Sequence, residues 1–171
     1  ERKVGEILRD ELPGLSITLS SEVCPEIREY ERQSTASANA YVQPKMSRYL
    51  TELDKTLKAL GVNCPFFLMT SGGGLMTLET AIRFPVRLVE SGPAGGAILA
   101  SYIARECNVK NVVSYDMGGT TAKLCLIDDY EPQSTRAFEV ARVYRNLRGS
   151  GLPVRIPAIE MLEIGAGGGS I

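Results

Sequence analysis

The sequence predicts a layered α/β fold with a β-rich C-terminal part. Between residues 44 and 130 strand-like apolar runs alternate with helix-like segments, and glycine-rich loops connect them. Beyond Tyr130 the pattern turns to short strands. With 171 residues, the chain is long enough to bury a substantial core. We divide it into 1–43 (entry helix, strand and connection), 44–130 (α/β core) and 131–171 (β-rich extension), and expect all three to form one domain of a longer chain.

The N-terminal part is expected to contain a helix over Lys3–Glu11 and then a strand over Ile17–Val23. Pro25 would end that strand, because proline cannot donate a ladder hydrogen bond. The small polar residues of Glu26–Val42 predict a partly helical connection.

A second helix is predicted to start at Pro44, since proline is favoured in the first helical turn. Asp54 and Lys58 have the spacing of a helical ion pair, and Gly61 provides the C-terminal stop. One apolar stripe follows the helix, formed by Tyr49, Leu50, Leu53, Leu57 and Leu60.

The middle of the core is predicted to hold a buried strand, Phe66–Thr70, followed by the loop Ser71–Gly74 and a helix that ends near Phe84. Another strand is expected over Val86–Glu90.

The loop Ser91–Gly96 opens a helix that runs to about Glu106, with Pro93 in its first turn. This helix is apolar nearly all round, so we expect it to be buried between layers.

A hairpin with a polar tip follows over Val112–Ile127. Its first strand ends on Asp116, the pair Gly118–Gly119 turns the backbone, and the second strand leaves from Thr120. Glycine N–H groups, the hydroxyls of Thr120 and Thr121 and the ammonium of Lys123 are donors that suit a phosphate ester, and Asp116 can hold a hydrated divalent cation. The alternative is ordinary turn chemistry, because aspartate before glycine often caps its own turn.

The C-terminal part is predicted to contain strands over Phe138–Arg145 and Val154–Ile164, joined by the loop Arg148–Pro153. Its last residues form a glycine-rich loop, Gly165–Ser170.

The composition excludes several classes of protein. A net charge of −1 gives no electrostatic basis for binding nucleic acid or an acidic membrane surface. No apolar run is long enough to cross a bilayer and no signal-peptide pattern opens the chain, so we expect a cytoplasmic protein. The chain has no histidine, which excludes Ser-His, Cys-His and histidine–metal chemistry within these residues. Its four cysteines lack a metal-binding spacing and are interpreted as reduced structural thiols, with Cys125 buried.

Each glycine loop is a candidate anion site, with close packing of a helix on a strand as the alternative. Ser71–Gly74 lacks the P-loop signature, and Gly165–Ser170 lacks the third glycine of the dinucleotide fingerprint. The candidate phosphate contacts in the loops are Gly95, Gly96, Gly167 and Gly168.

Asp116 and Glu90 are the candidate catalytic carboxylates, Glu90 because it precedes a glycine loop at the predicted end of a strand. Asp128 and Asp129 are interpreted as solvated turn residues.

Several motifs, in order, resemble the hydantoinase A/oxoprolinase family. They are Arg28–Arg32, Asn39–Val42, Glu90–Gly96, Asp116–Thr120 and Gly165–Ile171. The resemblance implies a ribonuclease H-like, actin-like ATPase fold, of which this chain holds a part. In that fold the Asp-x-Gly-Gly hairpin is the second phosphate-binding motif, and the first motif, in an N-terminal hairpin, is missing from these residues.

Family members use ATP to open a lactam or imide ring, as in 5-oxoproline or N-methylhydantoin, while related enzymes carboxylate acetone or acetophenone. The resemblance therefore implies ATP and Mg²⁺ as cofactors, a cyclic amide or imide as substrate, and a hydantoinase B-type subunit or domain as partner. Asp116 would organise the magnesium ion, and Gly118, Gly119, Thr120 and Thr121 would hold phosphates with Lys123 as a charge partner. An actin-like nucleotide switch or assembly module and a carboxylase subunit stay open as alternatives. The isolated chain is expected to have weak or no ATPase activity.

One position departs from the family pattern. Many members have Ser-Thr-Asp after the Gly-Gly-Thr of the hairpin, whereas this chain has Thr121-Ala122-Lys123. A cation thus stands beside the phosphates where other members have an anion.

Overall fold

The computed structural model describes residues 1–144, 147 and 149–170. In chain order its elements are α1 (Arg2–Glu11), α2 (Ser20–Val23), α3 (Glu29–Ala59), β1 (Phe67–Met69), β2 (Leu75–Thr77), α4 (Leu78–Arg83), a 3-10 helix (Pro85–Leu88), α5 (Ser91–Glu106), β3 (Val112–Met117), β4 (Ala122–Asp128), β5 (Glu131–Pro132), β6 (Ser134–Thr135), β7 (Phe138–Val140), β8 (Leu152–Val154), β9 (Ala158–Ile159) and β10 (Leu162–Ile164). They group into two compact units. The first comprises Glu1–Leu68, Met76–Arg87 and Ala137–Ile156, and the second comprises Met69–Leu75, Leu88–Arg136 and Pro157–Ile171.

The first unit confirms the entry helix, but the strand predicted over Ile17–Val23 is wrong. The segment folds into α2 instead, because the Glu1 carboxylate accepts hydrogen bonds from the N–H groups of Ser20, at 2.6 Å, and Ser21, at 3.3 Å. Leu19 and Val23, four residues apart, are both buried, which is the spacing of a helix.

A single helix, α3, replaces the partly helical connection and the helix that was predicted to start at Pro44. Pro44 lies inside it, so its assignment to the first helical position is wrong. Gln43, one residue earlier, donates from Nε2 to the Arg83 carbonyl at 3.2 Å, so tertiary contacts hold the helix where proline removes a backbone bond. The Asp54–Lys58 pair, at 2.7 Å, and the stop at Gly61 are confirmed.

The predicted apolar stripe of α3 is only partly buried. Leu50 is fully buried, whereas Tyr49 and Leu60 are 59% and 76% exposed. The core of the first unit lies elsewhere and contains Val23, Val86, Val154 and Ile156.

The centre of the chain corrects two predictions. The strand over Phe66–Thr70 is reduced to β1, whose residues are half-buried or exposed, and the loop Ser71–Gly74 leads to the paired strand β2 and not directly to a helix. Gly73 has a φ of +79°, and a Cβ there would lie 2.7 Å from Ile98 Cδ1, so this loop is packed tightly. The strand predicted over Val86–Glu90 is wrong, since a 3-10 helix begins at Pro85.

The second unit confirms α5 and the hairpin of β3 and β4. Its sheet has the antiparallel order β10–β4–β3, with β5 also paired to β4. The core cluster joins Ala94 and Ala97 of α5 to Cys125 and Ile127 of β4. The prediction that α5 is buried all round is wrong, because Leu99, Tyr102 and Ile103 are more than half exposed. The face of the sheet away from α5 also carries exposed apolar residues: Val113, Tyr115, Met117, Leu126, Leu162 and Ile164.

The structure confirms that the C-terminal part is rich in β-strands, but the strands are shorter than predicted. The strand over Phe138–Arg145 is reduced to β7, and Arg145 lies outside the described residues. The predicted strand Val154–Ile164 divides into the end of β8, then β9 and β10, because Pro157 interrupts it. Leu152, placed in the loop Arg148–Pro153, begins β8; Arg148 and Ile171 also lie outside the described residues.

Across 1–144, 147 and 149–170, the structure contains no helix with the length and apolar character that membrane crossing requires.

Asn39 stabilises the first unit through three hydrogen bonds from a fully buried amide. Its Nδ2 donates to Thr18 Oγ1 and to the Arg83 carbonyl, both at 3.1 Å, and its Oδ1 accepts from the Val86 N–H at 3.2 Å. We predict that Asn39→Ala lowers the free energy of unfolding by about 2–4 kcal/mol, because it leaves buried partners unsatisfied. Urea denaturation measures this loss. Asn63→Ala, which removes one exposed 3.4 Å bond, is the control and should change the value by less than about 0.5 kcal/mol.

Thiol reactivity tests the burial of the cysteines. Burial raises the pKa of the Cys24 and Cys125 thiols, so their reactive thiolates form only at higher pH, whereas Cys64 and Cys107 are exposed. We predict that a thiol reagent at pH 8 modifies Cys64 and Cys107 at least about 100-fold faster than the buried pair in the folded chain. Peptide mass spectrometry over a time course gives the four rates. Equal rates in the native protein would contradict the assignment, and unfolding in urea should abolish the difference.

Candidate functional site

The tip of the β3–β4 hairpin is the centre of the candidate site. Asp116 lies opposite Lys123 in the ladder, and the Gly118 N–H donates to the Thr121 carbonyl at 2.9 Å. The central residues of the turn are therefore Gly119 and Thr120. The predicted turn at Gly118–Gly119 is displaced by one residue, and the second strand begins at Ala122 instead of Thr120. Neither tip glycine has a positive φ, so the turn itself does not require glycine.

The loop Gly165–Ser170 follows β10 and lies directly against the hairpin tip. This contact explains why glycine is needed here. The N–H groups of Gly168 and Gly169 donate to the carbonyls of Gly118 and Gly119, each at 3.0 Å. A Cβ on Gly167 would lie 2.5 Å from the carbonyl carbon and oxygen of Gly119. The two backbones thus approach more closely than any side chain at Gly167 allows.

These contacts fix the direction of the tip N–H groups. A trans peptide is planar, so its N–H points opposite to its C=O. Because the loop binds the carbonyls of Gly118 and Gly119 on one side, the N–H groups of Gly119 and Thr120 point to the other side. Within the described residues neither N–H has an acceptor, and both residues are exposed. Two successive N–H groups that point to the same side of a turn have the donor arrangement that suits an anion.

Glu90 is close to the hairpin although the argument that singled it out was wrong. It does not end a strand; it is the N-cap of α5, in the left-handed conformation with φ 63° and ψ 18°. Its carboxylate forms an ion pair with Lys123. Glu163 of β10, opposite Lys123 in the ladder, places Oε1 3.8 Å from the same ammonium.

The helix α5 runs beside β4 in the same direction. Glu90, before its first residue, meets Lys123 at the start of β4, and Arg105, near its end, pairs with Glu131 just beyond the end of β4. The N-terminus of α5 and the hairpin tip therefore lie at the same end of the second unit.

The other predicted glycines differ in what they can offer. Gly95 and Gly96 lie in the second turn of α5, where their N–H groups are within the helical hydrogen-bonding pattern. A Cβ on Gly96 would meet nothing within 4 Å, so this turn presents a smooth surface. Gly168 directs its N–H to the hairpin, and Gly167 is buried with its N–H on Ser170 Oγ at 2.9 Å. In this geometry Gly167 and Gly168 support the hairpin from behind.

Asp116, Thr120 and Thr121 lie at the tip end of the hairpin. Asp116 is exposed, and the two threonine hydroxyls are 3.4 Å apart. Asp128 and Asp129 lie at the opposite end, where Asp129 pairs with Lys110 at 3.3 Å, which agrees with their interpretation as surface residues.

A magnesium ion fits Asp116 as a single protein carboxylate. In the described part of the chain no three His, Cys, Asp or Glu side chains converge on one point as a metal cage. Magnesium does not need such a cage, because it commonly takes one or two carboxylates together with substrate phosphates and waters. The donor set thus suits an ion that arrives with a phosphate ligand.

Sequence reasoning missed Glu163 and Ser170. Glu163 is one acidic residue in a short strand, and only the register of β10 against β4 reveals its position beside Lys123. In the sequence, Ser170 occupies the position of the third glycine of the dinucleotide fingerprint. In the structure, its hydroxyl accepts a hydrogen bond from the Gly167 N–H.

The chain matches known proteins in sequence and in structure. The model of the hydantoinase/oxoprolinase family matches residues 32–171. The chain is 41% identical over its full length to an uncharacterised protein of Methanocaldococcus jannaschii, of which it covers 26%. It is 32% identical over its full length to caprolactamase subunit alpha of Pseudomonas jessenii, of which it covers 23%. It is 30% identical over its full length to 5-oxoprolinase of Saccharomyces cerevisiae, of which it covers 12%.

Two solved structures share the fold. The ATP-dependent caprolactamase from Pseudomonas jessenii superimposes with a TM-score of 0.80 at 30% identity, over 100% of this chain and 23% of that chain. The nucleotide-free acetone carboxylase superimposes with a TM-score of 0.77 at 24% identity, over 97% of this chain and 22% of that chain. The chain therefore has an α/β fold that recurs within much longer proteins.

Substitution of Gly167 tests the contact between loop and hairpin. We predict that Gly167→Ala lowers the free energy of unfolding by about 1–3 kcal/mol and speeds hydrogen exchange of the Gly168 and Gly169 amides, because the new Cβ pushes the loop off the tip. Gly168→Ala is the matched control, since its Cβ would meet only Gly118 O at 3.9 Å. Hydrogen exchange followed by NMR measures both. If the two variants behaved alike, the close approach would have no energetic role.

Proposed function

The chain belongs to the hydantoinase/oxoprolinase family, and we propose that it is the part of an ATP-dependent ring-opening enzyme that binds the phosphates of ATP. The substrate would be a cyclic amide or imide, such as a lactam, 5-oxoproline or a hydantoin. The second unit would belong to an actin-like ATPase layering. Support for the substrate class comes from the relatives, since caprolactamase and 5-oxoprolinase are 32% and 30% identical to this chain.

The observation that carries this proposal is the pair of N–H groups at Gly119 and Thr120. Both residues are exposed, and both N–H groups point away from the loop Gly165–Ser170, whose own N–H groups hold the carbonyls of Gly118 and Gly119. Donors fixed before the ligand arrives need no reorganisation when charge develops on a phosphoryl group. The hydroxyls of Thr120 and Thr121 would add donors to the same phosphates.

Asp116, at the side of the tip where β3 ends, would hold a magnesium ion. When bound, that ion would supply charge neutralisation for the transferring phosphoryl group. The residues of this chain would orient the phosphates by hydrogen bonds from the tip.

The proposed reaction uses phosphate transfer to overcome the low reactivity of an amide. The amide oxygen attacks the γ-phosphorus of ATP, and the bond from that phosphorus to the ADP oxygen breaks. Water then adds to the activated ring carbon, the carbon–nitrogen bond breaks and the nitrogen takes a proton. A second water cleaves the resulting acyl phosphate, which gives the amino acid and inorganic phosphate.

A partner is part of the proposal. The caprolactamase relative is named as a subunit alpha, and we propose that this chain acts together with a second subunit or domain of the hydantoinase B type. Catalytic groups absent from this chain, which has no histidine, would come from outside it.

A carboxylase subunit is the second candidate, because the acetone carboxylase structure shares the fold with a TM-score of 0.77. Its identity of 24% is lower than the 30% of the caprolactamase structure, so ring opening is the better supported reaction.

The activity is tested with the complete polypeptide that contains this chain and its partner subunit. ATP consumption is measured with caprolactam, 5-oxoproline, a hydantoin, or acetone plus bicarbonate. Stimulation by a cyclic amide supports ring opening, stimulation only by acetone and bicarbonate supports the carboxylase, and ATP turnover indifferent to all four points to a nucleotide switch. The isolated chain is expected to show weak or no turnover.

Within the complete enzyme we predict that Asp116→Asn lowers amide-dependent ATP turnover by about 100-fold, because the magnesium ion loses its carboxylate. Asp116 is exposed, so the fold should be unchanged in the circular dichroism spectrum. The matched control is Asp128→Asn, an exposed aspartate at the other end of the hairpin, which should keep activity within about twofold. Equal activity of the two variants would remove Asp116 from the site.

A further inference from the structure

Lys123 lies among three carboxylates that come from three different elements. Asp116 of β3 and Glu163 of β10 stand directly opposite Lys123 on the two strands that flank β4. Residues directly opposite in a ladder share one face of the sheet. Glu90, the N-cap of α5, reaches Lys123 on that same face.

The ammonium of Lys123 is engaged with two of these carboxylates. It forms an ion pair with Glu90 and lies 3.8 Å from Glu163, and its side chain is only 18% exposed. Among the described residues no other cation pairs with Glu90 or Glu163. Lys123 is therefore the cation that offsets part of the negative charge of this cluster, and its donors are directed to protein groups.

The cluster of Lys123 and its carboxylates lies close to the hairpin tip, so its net charge affects an anion that binds there. Lys123 is three residues from Thr120, a distance of about 10 Å along a strand. At that separation and an effective dielectric constant near 20, one unit charge changes the binding of another by about tenfold. Without Lys123, the carboxylates of Glu90 and Glu163 would repel a polyphosphate at the tip.

Glu90 adds a second effect. A free carboxylate at the start of α5 would be attracted to the positive end of the helix and would compete there with a phosphate. The ion pair with Lys123 draws that carboxylate to the sheet instead. The left-handed backbone at Glu90, φ 63°, shows that the residue is held in an unusual conformation.

From these observations we infer that Lys123 is a positioning residue that neutralises and holds Glu90 and Glu163, and that it does not contact the phosphates. This inference rests on the proposed function. In this inference the cation belongs to a carboxylate cluster, and the phosphates are left to the tip N–H groups.

The experiment measures KM for MgATP and kcat separately in the complete enzyme. Lys123→Met is expected to raise KM about tenfold while kcat changes less than about threefold, because only ground-state repulsion is added. Lys123→Arg keeps the positive charge and is expected to keep KM within about threefold. Lys110→Met removes an exposed lysine that pairs with Asp129 at the opposite end of the hairpin, and serves as the matched control with unchanged constants.

The deciding variant is Lys123→Met combined with Glu163→Gln. Removing one carboxylate restores the charge of the cluster, so KM should return to within about threefold of the wild type. No rescue would mean that Lys123 binds phosphate directly, and an unchanged KM in Lys123→Met would mean that its charge is irrelevant; either result overturns the inference. If Lys123→Met does not fold, Glu163→Gln alone decides: a KM about tenfold lower supports the inference, and a KM within about threefold of the wild type overturns it. A wild-type enzyme that consumes no ATP would instead contradict the proposed function.

Discussion

The candidate site depends on two hydrogen bonds between backbones, from Gly168 and Gly169 to the carbonyls of the hairpin tip. Without them the carbonyls of Gly118 and Gly119 could turn in either direction, and the opposed N–H groups would have no fixed orientation. The loop can come close enough to make both bonds only without a side chain at position 167, since a Cβ on Gly167 would lie 2.5 Å from the Gly119 backbone. Glycine is therefore required on the supporting loop more strictly than on the tip it supports.

In the candidate site, hydrogen-bond donation and charge compensation come from different residues, whereas the sequence predicts both functions for one group of phosphate ligands. The exposed backbone N–H groups at the tip belong to Gly119 and Thr120, while Lys123, three residues beyond Thr120, pairs with Glu90 and Glu163. A pair of backbone N–H groups has no net charge, so nearby carboxylates weaken its attraction for an anion. The ion pairs of Lys123 offset part of that negative charge.

Sequence patterns predicted the features that local chemistry determines. The hairpin, α5, the stop at Gly61 and the Asp54–Lys58 pair follow from spacing, capping and turn residues, and all are present. The failures occur where distant contacts decide. The segment Ile17–Val23 alternates like a strand, but the Glu1 carboxylate binds the first N–H groups of a helix that its last four residues form. Pro44 lies inside α3, where Gln43 anchors the neighbouring turn. No local pattern contains these partners.

In the candidate site, too, some features follow from the local sequence and others depend on distant contacts. Its glycines, threonines and Asp116 could be selected from the sequence, because each residue type has an intrinsic affinity for phosphate or magnesium. Their roles could not, because a role depends on the direction of an N–H or an ammonium. Gly167 and Gly168 have the composition of a phosphate loop, but only the structure shows that the Gly168 N–H donates to the Gly118 carbonyl and the Gly167 N–H to Ser170 Oγ. Lys123 has the charge of a phosphate ligand, yet the register of β10 and the N-cap of α5 bring it two carboxylates first. Residue type thus identifies the ligand class, and strand register determines which residues are left to bind it.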